Sequence, residues 1–181
     1  MPAKKSYFSL NEIALLSLCA ALVFVMNTAF SLPLTLPGHT GIYWVVPVII
    51  GVGIVKKPGA GTYIGLISGI LATLFGVDTI HIFNIFIYTA LGGVIDLIGF
   101  FLLYHLDNPV AGFVAGAAGN LAKMVVNYFL QTFLGIPAVF IIIGIGTASI
   151  SHFIFGGIGG IIAAVVLARL YKAGVIARDG A

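Results

Sequence analysis

Asn120-Leu121-Ala122-Lys123-Met124-Val125-Val126-Asn127-Tyr128-Phe129-Leu130-Gln131 lies inside an apolar run from about residue 109 to 134. Its polar members Asn120, Lys123, Asn127 and Gln131 are spaced by 3, 4 and 4 residues, which in a helix places them on one face. A lysine and three amides in a membrane-length helix are costly against lipid, so that face must meet protein or a wet cavity. The stretch predicts one wall of a binding site for a small polar molecule.

The composition around it agrees with a membrane setting. Of 181 residues, 61% are hydrophobic and 7% charged, and mean hydropathy is +1.21. A soluble domain carries about 25% charged residues. Too few charges remain to cover a water-facing surface. The expected fold class is all-α and integral to the membrane: a six-transmembrane-helix bundle in the cell membrane. Residues 1–9 and 174–181 are read as short cytoplasmic tails, and 10–173 as the membrane domain. The net charge of +3 points to no nucleic-acid partner, because the basic residues sit at segment ends and form no patch.

Six apolar segments can be drawn, at about 10–30, 42–55, 60–76, 82–105, 110–134 and 145–171. A spanning helix needs roughly 20 residues, so the second and third are short and must tilt or extend. The breaks carry turn chemistry: Pro33, Pro37, Gly38 and Gly41 in the first loop, then Lys56-Lys57-Pro58-Gly59, then Leu106-Asp107-Asn108-Pro109. Residues 76–80 form a short polar link. Residues 135–146 allow two readings, a surface helix or the first turns of the sixth segment.

With the N-terminus inside, the inner ends hold Lys4, Lys5, Lys56, Lys57, Arg169, Lys172 and Arg178, leaving only Lys123 of the eight basic residues elsewhere. That asymmetry predicts cytoplasmic N- and C-termini and an even number of spans. Lys4 and Lys5 precede a run too long for a signal peptide and without a clear cleavage site, so an uncleaved first span is expected. Small residues recur every four positions at Gly61, Gly65 and Gly69, at Gly112 and Gly116, and at Gly156, Gly160, Ala164 and Ala168. Such rows let helix backbones approach closely in lipid.

Polar side chains gather in one half of the bundle. His81, Asn84 and Tyr88 start the fourth segment, Asn120, Asn127 and Gln131 come from the fifth, and Ser149 and His152 from the sixth. The first outer loop adds His39, Thr40, Tyr43 and Trp44. Apolar walls with a few placed polar groups describe a small-ligand pocket. Each part has a structural alternative: Tyr43 and Trp44 as interfacial anchors, His81 and His152 as packing residues. Asp96 and Lys123 lie at depths about 6 Å apart on neighbouring helices, so an intramembrane ion pair is expected. Several chemistries find no motif. There is no G-x-x-x-x-G-K-[ST] phosphate loop, no G-x-S-x-G and no H-E-x-x-H. Cys19 is the only cysteine, and the four histidines are scattered, so no metal site and no cofactor are expected in this chain.

At this point the sequence resembles the substrate-binding subunits (S components) of energy-coupling factor (ECF) vitamin importers. The resemblance rests on six membrane helices in a chain of this length with both termini inside. Its most specific local part is Gly41-Ile42-Tyr43-Trp44 leading to Lys56-Lys57-Pro58-Gly59-Ala60. This is similar to the branch linked to uptake of thiamine precursors (the YkoE-like group). The resemblance implies a subunit without catalysis that captures a small vitamin-like substrate, thiamine-related compounds being favoured. His39, Trp44, His81, Asn84, Tyr88, Asn120, Asn127, Gln131 and His152 would hold it, with His39 and Trp44 in a lid. It implies docking on an ECF transmembrane coupling subunit, with ATP used by two cytoplasmic ATPases. The family's Ala-xxx-Ala docking motif has its nearest match in Ser17 and Ala21, flanked by Ala14. A related nickel/cobalt branch depends on an N-terminal Met-His, whereas this chain starts Met1-Pro2, which disfavours metal cargo. The alternatives are a self-sufficient secondary transporter or channel, proton-coupled through Asp96 and Lys123, and a membrane enzyme acting on lipid.

Overall fold

The computed structural model describes residues 7–29, 37–77 and 81–177. Among these, six α-helices form and no strand does: α1 Leu10–Ala29, α2 Gly41–Val55, α3 Ala60–Leu74, α4 Asn84–Phe101, α5 Pro109–Phe133 and α6 Ala138–Lys172. A 3-10 turn at His81–Phe83 leads into α4. Four helical stretches are long and apolar enough to cross a membrane: Leu10–Ala29, His81–Phe101, Pro109–Phe133 and Gly144–Lys172. Helices α2 and α3 have 15 residues each, about 22 Å at the helical rise. Lys4, Lys5, Arg178, Pro33 and residues 78–80, on which parts of the sequence reading rest, lie outside the described residues.

The helix ends follow the expected turn chemistry. Ser9 and Glu12 form a reciprocal box at the start of α1: the Ser9 N–H donates to the Glu12 carboxylate at 2.7 Å, and the Glu12 N–H to the Ser9 hydroxyl at 3.3 Å. Lys56 turns left-handed (φ 50) to end α2, and Gly59 (φ 93) opens α3. Asn108 caps α5 by accepting the Val110 N–H at 2.8 Å, with Pro109 at the first helical position.

Two boundaries differ from the apolar pattern. α4 ends at Phe101, although the apolar run continues; Leu103 (φ 49) and Tyr104 (φ 58) reverse the chain, and the Tyr104 N–H donates to the Gly99 carbonyl at 2.7 Å. The reversal brings Leu106 into full burial. Burial, and after it the Asp96 carboxylate, pushes the Tyr104 hydroxyl above its ordinary pKa. At the other boundary, residues 138–146 are the first turns of α6, which answers the ambiguity over 135–146. Pro137 precedes the first turn, where its missing N–H does no harm.

The glycine rows are the inter-helix contacts. α3 packs on α4 where Gly61 faces Gly92, Gly65 faces Tyr88 and Gly69 faces Ile85; a Cβ at any of them would strike backbone. α5 packs on α6 in the same way, with Gly112 and Gly116 against Gly156 and Gly160. The core lies between these pairs and is filled by α2 through Val45, Val48, Ile49 and Val52. Outward faces stay apolar, as at Phe101, Phe129 and Phe133, which suits a hydrocarbon solvent and not water. On α1, Ala14 and Leu18 are exposed, whereas the Ser17 hydroxyl meets the Tyr63 hydroxyl on α3 at 3.0 Å.

Candidate functional site: a polar cavity among α2, α4, α5 and α6

The polar stripe of α5 turns inward. Asn120 is fully buried and Lys123 nearly so, while Val125, Phe129 and Phe133 occupy the outward face. Farther along, Asn127 and Gln131 line a cavity of about 530 Å³. Pro37, Gly38 and Thr40 of the loop before α2, Trp44 of α2, Asn84 and Ile87 of α4, Lys123, Met124 and Tyr128 of α5, and His152 of α6 complete the lining. The volume is within the usual range for small-molecule sites, about 300–1,000 Å³.

Asn120 ties the cavity floor together. Its Oδ1 accepts from the Trp44 indole Nε1 at 3.3 Å, and its Nδ2 donates to the backbone carbonyls of His152 at 2.9 Å and Gly38 at 3.4 Å. One amide thus joins α2, α5, α6 and the first loop. Gly41 is required beside it, because a Cβ there would run into the Asn120 amide.

Beneath the lining sits an aromatic pair. Trp44 and Tyr88 meet edge to face at 5.8 Å and 81°. Asn27 of α1 fixes Tyr88 by donating to its hydroxyl at 2.8 Å. The Lys123 Nζ lies 2.9 Å from the Trp44 ring centroid and 4.4 Å from that of Tyr88. Negative ring faces attract an ammonium, more strongly where water is scarce. Trp44 is only 5% exposed and forms part of the cavity wall.

The remaining polar groups divide into committed and open ones. The Asn84 amide donates to the Val77 carbonyl at 2.6 Å. His152 Nδ1 lies 2.8 Å from the Ala148 carbonyl. A carbonyl can only accept, so Nδ1 carries the proton and Nε2 is left as the acceptor. Neither the Asn127 nor the Gln131 side chain forms a hydrogen bond within the described residues. Two half-buried amides therefore face the cavity with their donors and acceptors available to a ligand.

Of the site residues read from sequence, Trp44, Asn84, Asn127, Gln131 and His152 line the cavity, and Asn120 and Tyr88 support it from behind. His39 lies between two lining positions but is not itself in the lining, and His81 sits in the turn before α4, where its backbone carbonyl accepts from Thr73 at 3.0 Å. Ile87, Met124 and Tyr128 are additions; Thr40, read with the polar groups of the outer loop, and Lys123, read both in the polar stripe and as half of an ion pair, line the cavity too. That ion pair with Asp96 is not formed. The Asp96 carboxylate accepts the N–H groups of Gly61 at 2.8 Å and Thr62 at 2.6 Å, and the Thr62 hydroxyl at 2.7 Å. It caps the N-terminus of α3, where unpaired N–H groups and the positive end of the helix dipole favour an anion. A proton relay through Asp96 and Lys123 loses its geometry for the same reason.

Residues 12–122 match the family model described as ABC-type cobalt transport system, permease component. The fold is similar to a solved chain titled "Crystal structure of an S-component of ECF transporter", with TM-score 0.64 and 19% sequence identity over 93% of this chain and 88% of that one. No curated protein matches.

Proposed function

Because this chain belongs to the family of ABC-type cobalt transport system permease components and has the fold of an ECF S component, we propose that it is the substrate-binding subunit of an ECF-type importer. All six helices span the cell membrane with both termini in the cytoplasm, and the cavity opens to the outside. The excess of basic residues at Lys56, Lys57, Arg169 and Lys172, all at the end opposite the cavity, supports that orientation. The chain carries out no chemistry of its own. It docks on a transmembrane coupling subunit driven by two ATPases, through the face of α1 that carries Ala14 and Leu18.

The cargo is a small, polar, planar vitamin or vitamin precursor, with thiamine-related compounds favoured by the local likeness around Trp44 and Lys56-Lys57-Pro58-Gly59. The observation that carries this reading is the pair of open amides, Asn127 and Gln131, beside an apolar wall of Ile87 and Met124. Amides read the edge of a heterocycle, and an apolar wall takes its face. A cobalt ion fits the lining poorly. One imidazole, one thioether and an ammonium do not make a ligand set for a divalent metal, and no group of three His, Cys, Asp or Glu side chains gathers among the described residues.

The test is co-purification with an ECF ATPase module, combined with mass spectrometry of the small molecule retained by the purified chain. Failure to associate with any such module sinks the proposal. Uptake by the chain alone in liposomes under a pH gradient would replace it with a secondary transporter.

A further inference from the structure

His152 of α6 lines the cavity, and the protein fixes it from three directions. Its Nδ1–H points back along its own helix to the Ala148 carbonyl at 2.8 Å. Its backbone carbonyl accepts from the Asn120 amide at 2.9 Å. Gly38 of the first loop lies against the ring: a Cβ there would come within 2.6 Å of Cγ and Nδ1. Turning the ring over would set a carbon against the Ala148 carbonyl and give up that hydrogen bond. Tautomer and orientation are thus both set. Nε2, which forms no hydrogen bond among the described residues, is left as a bare acceptor on a half-buried side chain. The other open groups of the lining are less particular. The Asn127 and Gln131 amides each carry donors and an acceptor and can turn to offer either, and the Tyr128 hydroxyl does the same by rotating.

We propose that His152 Nε2 reads a hydrogen-bond donor on the cargo: a bound solute sets a ring N–H, an amino group or a hydroxyl against it, and analogues with a carbon or a lone pair at that place are turned away. This rests on the reading of the cavity as a cargo site and narrows the planar solutes to heterocycles that carry such a donor. The selection needs no net charge on either side. A solute without the donor leaves a partly desolvated imidazole nitrogen unpaired, which weakens binding on the order of tenfold against a matched solute that has it.

A matched pair of probes tests this. 4-Amino-2-methylpyrimidine and 2,4-dimethylpyrimidine are flat and alike in size, and differ by an amino group in place of a methyl. Each is titrated into the full chain in an uncharged detergent, at a mildly alkaline pH where both probes are neutral. Trp44, the only tryptophan and part of the lining, reports binding by its fluorescence. The amine should bind about tenfold tighter than the dimethyl compound. His152→Asn keeps a donor for the Ala148 carbonyl but has no atom at the place of Nε2, so the affinity ratio should fall to near one. The amide oxygen of His152→Gln reaches that place and should restore the ratio to about threefold or more. Taking the ratio cancels any general loss of affinity in a variant. A ratio at or below one in the unmodified protein overturns the proposal. So does a ratio unchanged by His152→Asn, or by His152→Leu should the asparagine variant not fold, and so does a glutamine variant no more selective than the asparagine one. Absence of binding by both probes overturns it too, because the acceptor then meets no donor of this kind. The ratio does not depend on the importer. A chain with the expected ratio that never associates with an ATPase module would refute the S-component reading and leave the acceptor standing, and association with a module at a ratio of one would do the reverse.

Discussion

At the end of the bundle near the α2–α3 turn, the charged side chains are saturated, although the buried Tyr104 hydroxyl beside them has no hydrogen-bond partner among the described residues. Asp96 receives three hydrogen bonds, all from Gly61 and Thr62 in the first turn of α3, and Lys57 meets both Glu12 at 2.7 Å and the Tyr7 carbonyl at 3.2 Å. At the cavity end, Asn127 and Gln131 form no hydrogen bond within the described residues, and the Lys123 ammonium rests on two rings. Both ends hold charge in an apolar fold, but the carboxylates of Glu12 and Asp96 meet matched donors, whereas the Asn127 and Gln131 amides face the cavity. A group held for stability is given its partners by the protein, while open groups in a cavity await a ligand.

The sharpest way to break the contrast is to force the saturated end apart. Gly61→Leu sets a side chain against the Gly92 backbone and the Asp96 carboxyl, and no monodisperse folded protein should survive size exclusion. Asp96→Ala strands three donors and should lower stability by about 3 kcal/mol. Cys19, buried and the only cysteine, makes that measurable as the temperature at which a thiol-reactive dye gains access. Asn120→Ala belongs to both regions. It removes the tie among α2, α5, α6 and the first loop and should cost about 2 kcal/mol while also weakening cargo binding. Asn127→Ala separates them cleanly: stability should change by under about 0.5 kcal/mol, while affinity for the co-purifying ligand falls tenfold or more, about 1.4 kcal/mol. Glu12→Gln should have the smallest effect, a slight drop in melting temperature with binding unchanged, because its salt bridge with Lys57 is solvent-accessible. Loss of binding in Glu12→Gln, or of folding in Asn127→Ala, would erase the distinction between the two ends.

Much of the fold was legible because its signals are local. Apolar runs set the helices, Lys56-Lys57-Pro58-Gly59 and Asn108-Pro109 set two turns, and four-residue glycine spacing marked the faces that pack closest. The end of α4 was not legible, since nothing apolar or polar in Leu102–Leu103 announces a left-handed reversal; the carbonyl of Gly99 and the burial of Leu106 produce it. In the site, the amide row was visible by its period. Met124 and Tyr128 were not, although each follows a stripe residue, because the cavity subtends a wider arc of α5 than the polar stripe.

The chain alone determined that Asn120, Lys123, Asn127 and Gln131 face away from lipid, since helical period and the cost of polar groups in hydrocarbon are both properties of one helix. Only tertiary packing decided what each of them meets. Asp96 and Lys123 look like partners by depth, yet the unpaired N–H groups of α3 approach Asp96 through Gly61, and Trp44 and Tyr88 reach Lys123. A partner is chosen by separations of a few ångströms between helices, and those follow from how glycine faces and aromatic rings pack.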